Sequence, residues 1–138
     1  MSRSGYSYDC ENIGLWRGAV ERAIAGKRGQ AFLREMAAAL DVMPVKELIA
    51  GEVVRDTNHV CAIGAVAIAR KMDVSQLDID DGESVGAAFG VARALACEIA
   101  YENDEGGLGA ETPAERWHRL RAWVTRAIAE PATEKTTK

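Results

Sequence analysis

Apolar residues return every three to four positions through most of this chain, and glycines or prolines separate the runs. That pattern confines the polypeptide to a packed set of short helices. Ile13, Trp16, Val20, Ala23 and Ile24 form one apolar face, with Arg17, Glu21 and Arg22 opposite, which predicts a helix over residues 12–25. Gly26 is expected to close it as a left-handed C′ residue. Phe32, Leu33, Met36, Ala39 and Leu40 predict a second helix over residues 29–42, stopped by Pro44. So short a link pairs the two as an antiparallel hairpin.

Residues 45–61 break the helical period. Val53-Val54 and His59-Val60-Cys61 flank the turn-forming Arg55-Asp56-Thr57-Asn58, which predicts a small β-hairpin near residues 48–62, laid on the helices. Ile63, Val66, Ala67 and Arg70 restore helical spacing over 61–71, weakened by Gly64. An acidic connection over 73–82 leads into two helices, 83–89 and 92–103. The final helix has the clearest start: Thr112 as N-cap, Pro113 at N1 and Glu115 at N3 make a capping box. The reading is an all-α protein, a single compact domain of five to six helices over residues 12–130. An N-terminal arm (1–11) precedes it and a flexible C-terminal tail (131–138) follows.

The chain has 138 residues, 48% of them hydrophobic, enough for one domain with a true core. No apolar run approaches the length of a bilayer span, so no membrane partner is expected. The N-terminus is polar and lacks a signal-peptide core, which points to the cytoplasm. Cys10, Cys61 and Cys97 are an odd count set far apart, as suits free thiols in a reducing compartment. The net charge of −4 is unevenly spread: residues 73–111 hold only Arg93 against ten acids, whereas residues 112–138 hold six bases against three. Such asymmetry steers a charged partner or lets the two regions complement each other.

Val85, Phe89, Val91, Ala96 and Ile99 stand where a helix-turn-helix places its buried residues, with Gly90 at the turn. Its second helix offers few side chains that read base edges, and Glu98, Glu102, Asp104 and Glu105 repel phosphate. A core helix pair is therefore expected, and nucleic acid is not the expected partner. Gly26-Lys27-Arg28-Gly29-Gln30 puts two cations at a helix start, the first place to seek a contact with an anion or a partner. It lacks P-loop spacing. Asp78 to Glu83 misses the calcium-loop pattern because Gly82 comes one residue early. Cys10, His59, Cys61, Cys97 and His118 lack zinc spacing, so neither metal nor cofactor is expected. Nothing pairs a thiol with His59 or His118, and Arg93 one turn from Cys97 lowers its pKa slightly at most. The acids at Tyr101-Glu102-Asn103-Asp104-Glu105 end a helix, where negative charge is locally unfavourable, so they serve the basic final helix or a partner.

Gly26-Lys27-Arg28-Gly29-Gln30, Val60-Cys61-Ala62-Ile63-Gly64-Ala65-Val66, Tyr101-Glu102-Asn103-Asp104-Glu105 and Thr112-Pro113-Ala114-Glu115-Arg116-Trp117, with Arg121-Ala122-Trp123-Val124, together resemble a family of small uncharacterised phage and prophage proteins. The resemblance spans about residues 12–128. It carries no assigned activity or site residue; it implies a viral gene acting in a bacterial cytoplasm. By analogy, small acidic proteins of that setting are often stoichiometric binders of host proteins, defence machinery included. The expectation is a non-enzymatic accessory protein that binds a host or phage protein through Lys27, Arg28 and Gln30 or through Glu102, Asp104 and Glu105. The alternatives are a DNA-associated regulator using Arg93, Arg116, Arg119 and Arg126, and an enzyme of unidentified class.

Overall fold

A computed structural model describes residues 13–56, 59–105 and 110–128. These form α1 (Ile13–Ala25), α2 (Lys27–Asp41), β1 (Val54–Asp56), β2 (His59–Val60), α3 (Ala62–Arg70), α4 (Gly82–Phe89), α5 (Arg93–Glu105) and α6 (Pro113–Ala127). The all-α expectation holds, small hairpin included. The expected arm (1–11) and tail (131–138), with Cys10, lie outside the described residues, as do positions 57–58 and 106–109.

Two helices organise the rest. α1, α3 and α6 each pack against both α2 and α5, and α4 packs on α5. α2 is amphipathic and buries Phe32, Leu33, Met36, Ala37, Ala39 and Leu40. α5 is enclosed on every side: Leu95, Ala96, Cys97, Glu98, Ile99 and Ala100 are all buried, as befits the central helix of a core. Its alanines let neighbouring backbones come close.

Gly26 does not close α1 in a left-handed turn. It is extended (φ −72°, ψ 165°) and caps α2, which therefore starts at Lys27. The apolar stripe begins only at Phe32, so hydrophobic spacing says nothing of that polar first turn. Two bidentate ion pairs flank α2: Arg70 with Glu35 (2.6 and 2.7 Å) from α3, and Arg121 with Asp41 (2.8 and 2.9 Å) from α6. Arg70 also lies over the rings of Phe32 and Phe89, which meet edge to face at 5.8 Å.

The hairpin is antiparallel, pairing Val54 with Val60 and Asp56 with His59 across a bulge. Its base is fixed by the Cys61 N–H donating to the Val53 carbonyl (3.0 Å) and the Ile49 N–H to the Val60 carbonyl (2.9 Å). α3 starts directly beneath it. A Cβ at Gly64 would sit 2.0 Å from the Val53 carbonyl oxygen, so glycine here permits close contact between helix and hairpin. The capping box at Thr112 forms as expected: its hydroxyl accepts from the Glu115 N–H (3.1 Å) and the Glu115 carboxylate from the Thr112 N–H (2.9 Å). No single described helix is long and apolar enough to cross a membrane.

Candidate functional site

The C-terminal end of α5 gathers most of the chain's buried polar chemistry. Asn103 is 2% exposed. Its amide oxygen accepts from the Ala62 N–H (3.0 Å), the first residue of α3, and its amide nitrogen donates to the Ile49 carbonyl (2.9 Å) and to Asp104 (2.7 Å). The Asp104 carboxylate accepts in turn from the Gly51 N–H (3.2 Å). Arg119 of α6 donates to the Glu102 and Asn103 carbonyls, supplying cations where the helix end needs them, and pairs with Glu111 (2.7 Å). Arg116 donates to the Leu48 carbonyl (3.1 Å), and Leu48 donates to the Pro113 carbonyl (3.1 Å). Of the acids at this end, Glu102 meets the basic final helix at Arg119 (4.0 Å), whereas the Asp104 carboxylate serves Gly51 and Asn103. Glu102 and Asp104 are half-buried, and the Glu105 side chain lies outside the described residues.

One turn earlier, Glu98 is buried against Arg17 of α1 at 3.0 Å and hydrogen-bonds the Glu102 carboxyl. Burial holds the Glu98 pKa above the usual carboxylate range, partly offset by Arg17. Burial and the neighbouring Glu98 raise Glu102 against the pull of Arg119, Arg126 and Arg17. A carboxyl raised on folding adds stability that is complete below its ordinary value of 4.5 and is lost as pH climbs through the raised one. Glu98→Gln removes that titration. The stability of the wild type relative to this variant is therefore expected to be smaller at about pH 8 than at about pH 5 in urea unfolding. A difference independent of pH would contradict it.

The other expected site residues are largely occupied by the fold. Gln30 donates to the Ile24 (2.8 Å) and Ala127 (3.1 Å) carbonyls, joining the end of α1 to the end of α6. Lys27 and Arg28 are exposed, and Arg28 reaches the Gly90 carbonyl at 3.4 Å. Gly29 answers to packing, since a Cβ there would meet the Ala23 carbonyl oxygen at 1.9 Å. The helix-turn-helix frame exists: α4 and α5 are bent by 110° and Gly90 takes φ +77°. Its second helix is nevertheless the enclosed α5. Arg93 lies over the Trp16 ring, Arg116 and Arg119 bind backbone carbonyls, and Arg126 is exposed.

Cys97 is a buried helical cysteine: burial raises its thiol and outweighs the pull of Arg93. Burial likewise pushes Cys61 up to about 12, so both described thiols stay protonated. Among the described residues no three His, Cys, Asp or Glu side chains converge on a metal position.

Sequence reasoning missed the surface around Ile68. Val42, Val45 and Ile68 are 74%, 40% and 43% exposed and line one apolar groove of about 100 Å³ with Met43, Pro44 and Ala69. On the other side of Ile68 a wider cleft of about 650 Å³ runs between β1 and residues 72–79. Val42 and Val45 straddle the helix-stopping Pro44, the one local hint; Ile68 arrives only by folding.

The described residues form a six-helix all-α fold with a buried polar cluster at the end of α5 and an apolar groove at its surface. No protein-family model matches this chain, and neither a curated protein nor a solved structure matches it.

Proposed function

We propose that this is a non-enzymatic accessory protein, phage- or prophage-encoded, that binds a host or phage protein in the manner of a stoichiometric inhibitor. Its docking face is the groove around Ile68. The observation that carries this reading is three large aliphatic side chains, Val42, Val45 and Ile68, exposed together around one apolar depression. Folding gains nothing from leaving them in water, and clustered exposed apolar surface marks interaction sites. The buried, protonated thiols support binding over nucleophilic chemistry.

The test is affinity capture from infected and uninfected bacterial lysates, read by mass spectrometry. The wild type should retain one partner in stoichiometric amount, and V42D/I68D should lose it while keeping the wild-type helical spectrum. Asp at Val42, 74% exposed, shifts stability by about 0.5 kcal/mol or less, and at the half-covered Ile68 by more. A K27E/R28E variant, altering the exposed corner at the start of α2, should still capture the partner. Failure of the wild type to retain any partner would defeat the proposal. Retention by V42D/I68D with loss by K27E/R28E would move the docking face to that corner.

A further inference from the structure

We infer that the cleft beside Ile68 takes an extended, basic segment of a partner protein, which adds to β1 as a third strand. This rests on the protein-binding reading and gives its partner a chemistry. The cleft is lined by Gly51 to Arg55 but by neither residue of β2, so it lies along the far edge of β1. In an antiparallel pair, successive residues turn their backbone groups to opposite sides. The Val53 carbonyl faces the β2 side, where it accepts from Cys61. Val54 therefore directs its N–H and C=O toward the cleft. Among the described residues the sheet has two strands, and that edge is a template for strand addition.

The cleft walls match such a guest. Ile68, Met72, Val74 and Leu77 offer apolar surface to every second side chain of an extended peptide. The rim carries Glu52, Asp73 and Asp78 against a single cation, Arg55, which already pairs with Glu52 at 3.1 Å. That balance attracts lysine or arginine on the guest and repels an acidic segment. At about 650 Å³ the space suits a short stretch of chain.

The probe is an acetylated, amidated heptapeptide of alternating lysine and valine, titrated into the ¹⁵N-labelled protein. Saturable amide shifts are expected at Val54, Arg55 and residues 73–79, with slowed exchange of the Val54 amide. The glutamate–valine counterpart should bind about tenfold more weakly or worse, and of two peptides N-methylated at alternate residues, the one whose methyl groups face β1 should weaken likewise while the other does not. D73K/D78K should weaken the lysine peptide by a similar factor while keeping the wild-type helical spectrum. Absence of saturable binding at millimolar peptide, equal binding of the glutamate peptide or of both N-methylated peptides, or shifts confined to the Val42–Val45 groove would each overturn the inference. A lysate partner lost on V42D/I68D while the peptide stays silent would overturn the cleft and leave the proposed function standing. Peptide binding in a protein that captures nothing would do the reverse.

Discussion

Asn103→Leu is expected to cost this fold about 2–6 kcal/mol, because each of two buried backbone groups loses its partner at about 1–3 kcal/mol. The substitution keeps side-chain bulk and removes both hydrogen-bonding functions at once. The Ala62 N–H then opens the buried start of α3 with no acceptor, and the Ile49 carbonyl has no donor. Asp104 also loses the amide that steadies it against Gly51. A domain of this size holds about 5–15 kcal/mol in total, so this one side chain carries a large share. Urea unfolding should show a lower midpoint with an unchanged slope, and the Ala62 and Gly51 amides should exchange faster. A loss below about 1 kcal/mol would mean that water satisfies those groups as well as the amide does.

Gly64→Ala should destabilise the fold, because overpacking costs about 1–3 kcal/mol and occasionally more, of which alanine returns about 1 kcal/mol as the better helix former. The new methyl would land 2.0 Å from the Val53 carbonyl oxygen and 2.9 Å from the Val60 Cβ. Neither obstacle is a mobile side-chain end: the carbonyl is fixed by Cys61, and Val60 is buried. α3 and the hairpin must part, and the wall formed by β1 moves with them. Gly18→Ala is the contrast, since its methyl meets only the Arg22 guanidinium at 3.3 Å, the end of a flexible side chain. That change should be neutral or stabilising by about 0.4–1 kcal/mol, as for glycine removed from an unstrained helix. Thermal melts of the two variants measure the difference. Gly64→Ala melting as the wild type does would refute the tight contact.

Sequence periodicity located α1, α2 and α6 because each has one wet face and one dry face, and the alternation is written in the residues. Gly64 shows where that reading stops. Along the chain it is only a poor helix former; its purpose depends on Val53, which folding brings above it. The sequence places α5 as well, over residues 92–103, but does not tell its faces apart. Its many alanines mark no side as outer, so Glu98 and Asn103 look like surface residues until α1, α3 and α6 cover them. Arg116 and Arg119 pass for a solvated basic face because their acceptors, the carbonyls of Leu48, Glu102 and Asn103, are backbone groups that composition does not display. The Ile68 groove joins residues from two segments, each ordinary by itself.

On the ribosome, Leu48 emerges well before the residues that hold it. Its carbonyl waits for Arg116, 68 positions later, and Gly51 waits for Asp104, 53 positions later. Until then the hairpin rests on α3 but has no tie to α5 or α6, and its open edge is available to any neighbouring nascent chain. Chains truncated before Asp104 lack both ties, so they should aggregate more readily than a chain that carries Asp104 and Arg116. The polar clasp at the end of α5 thus joins a hairpin made early to residues made late.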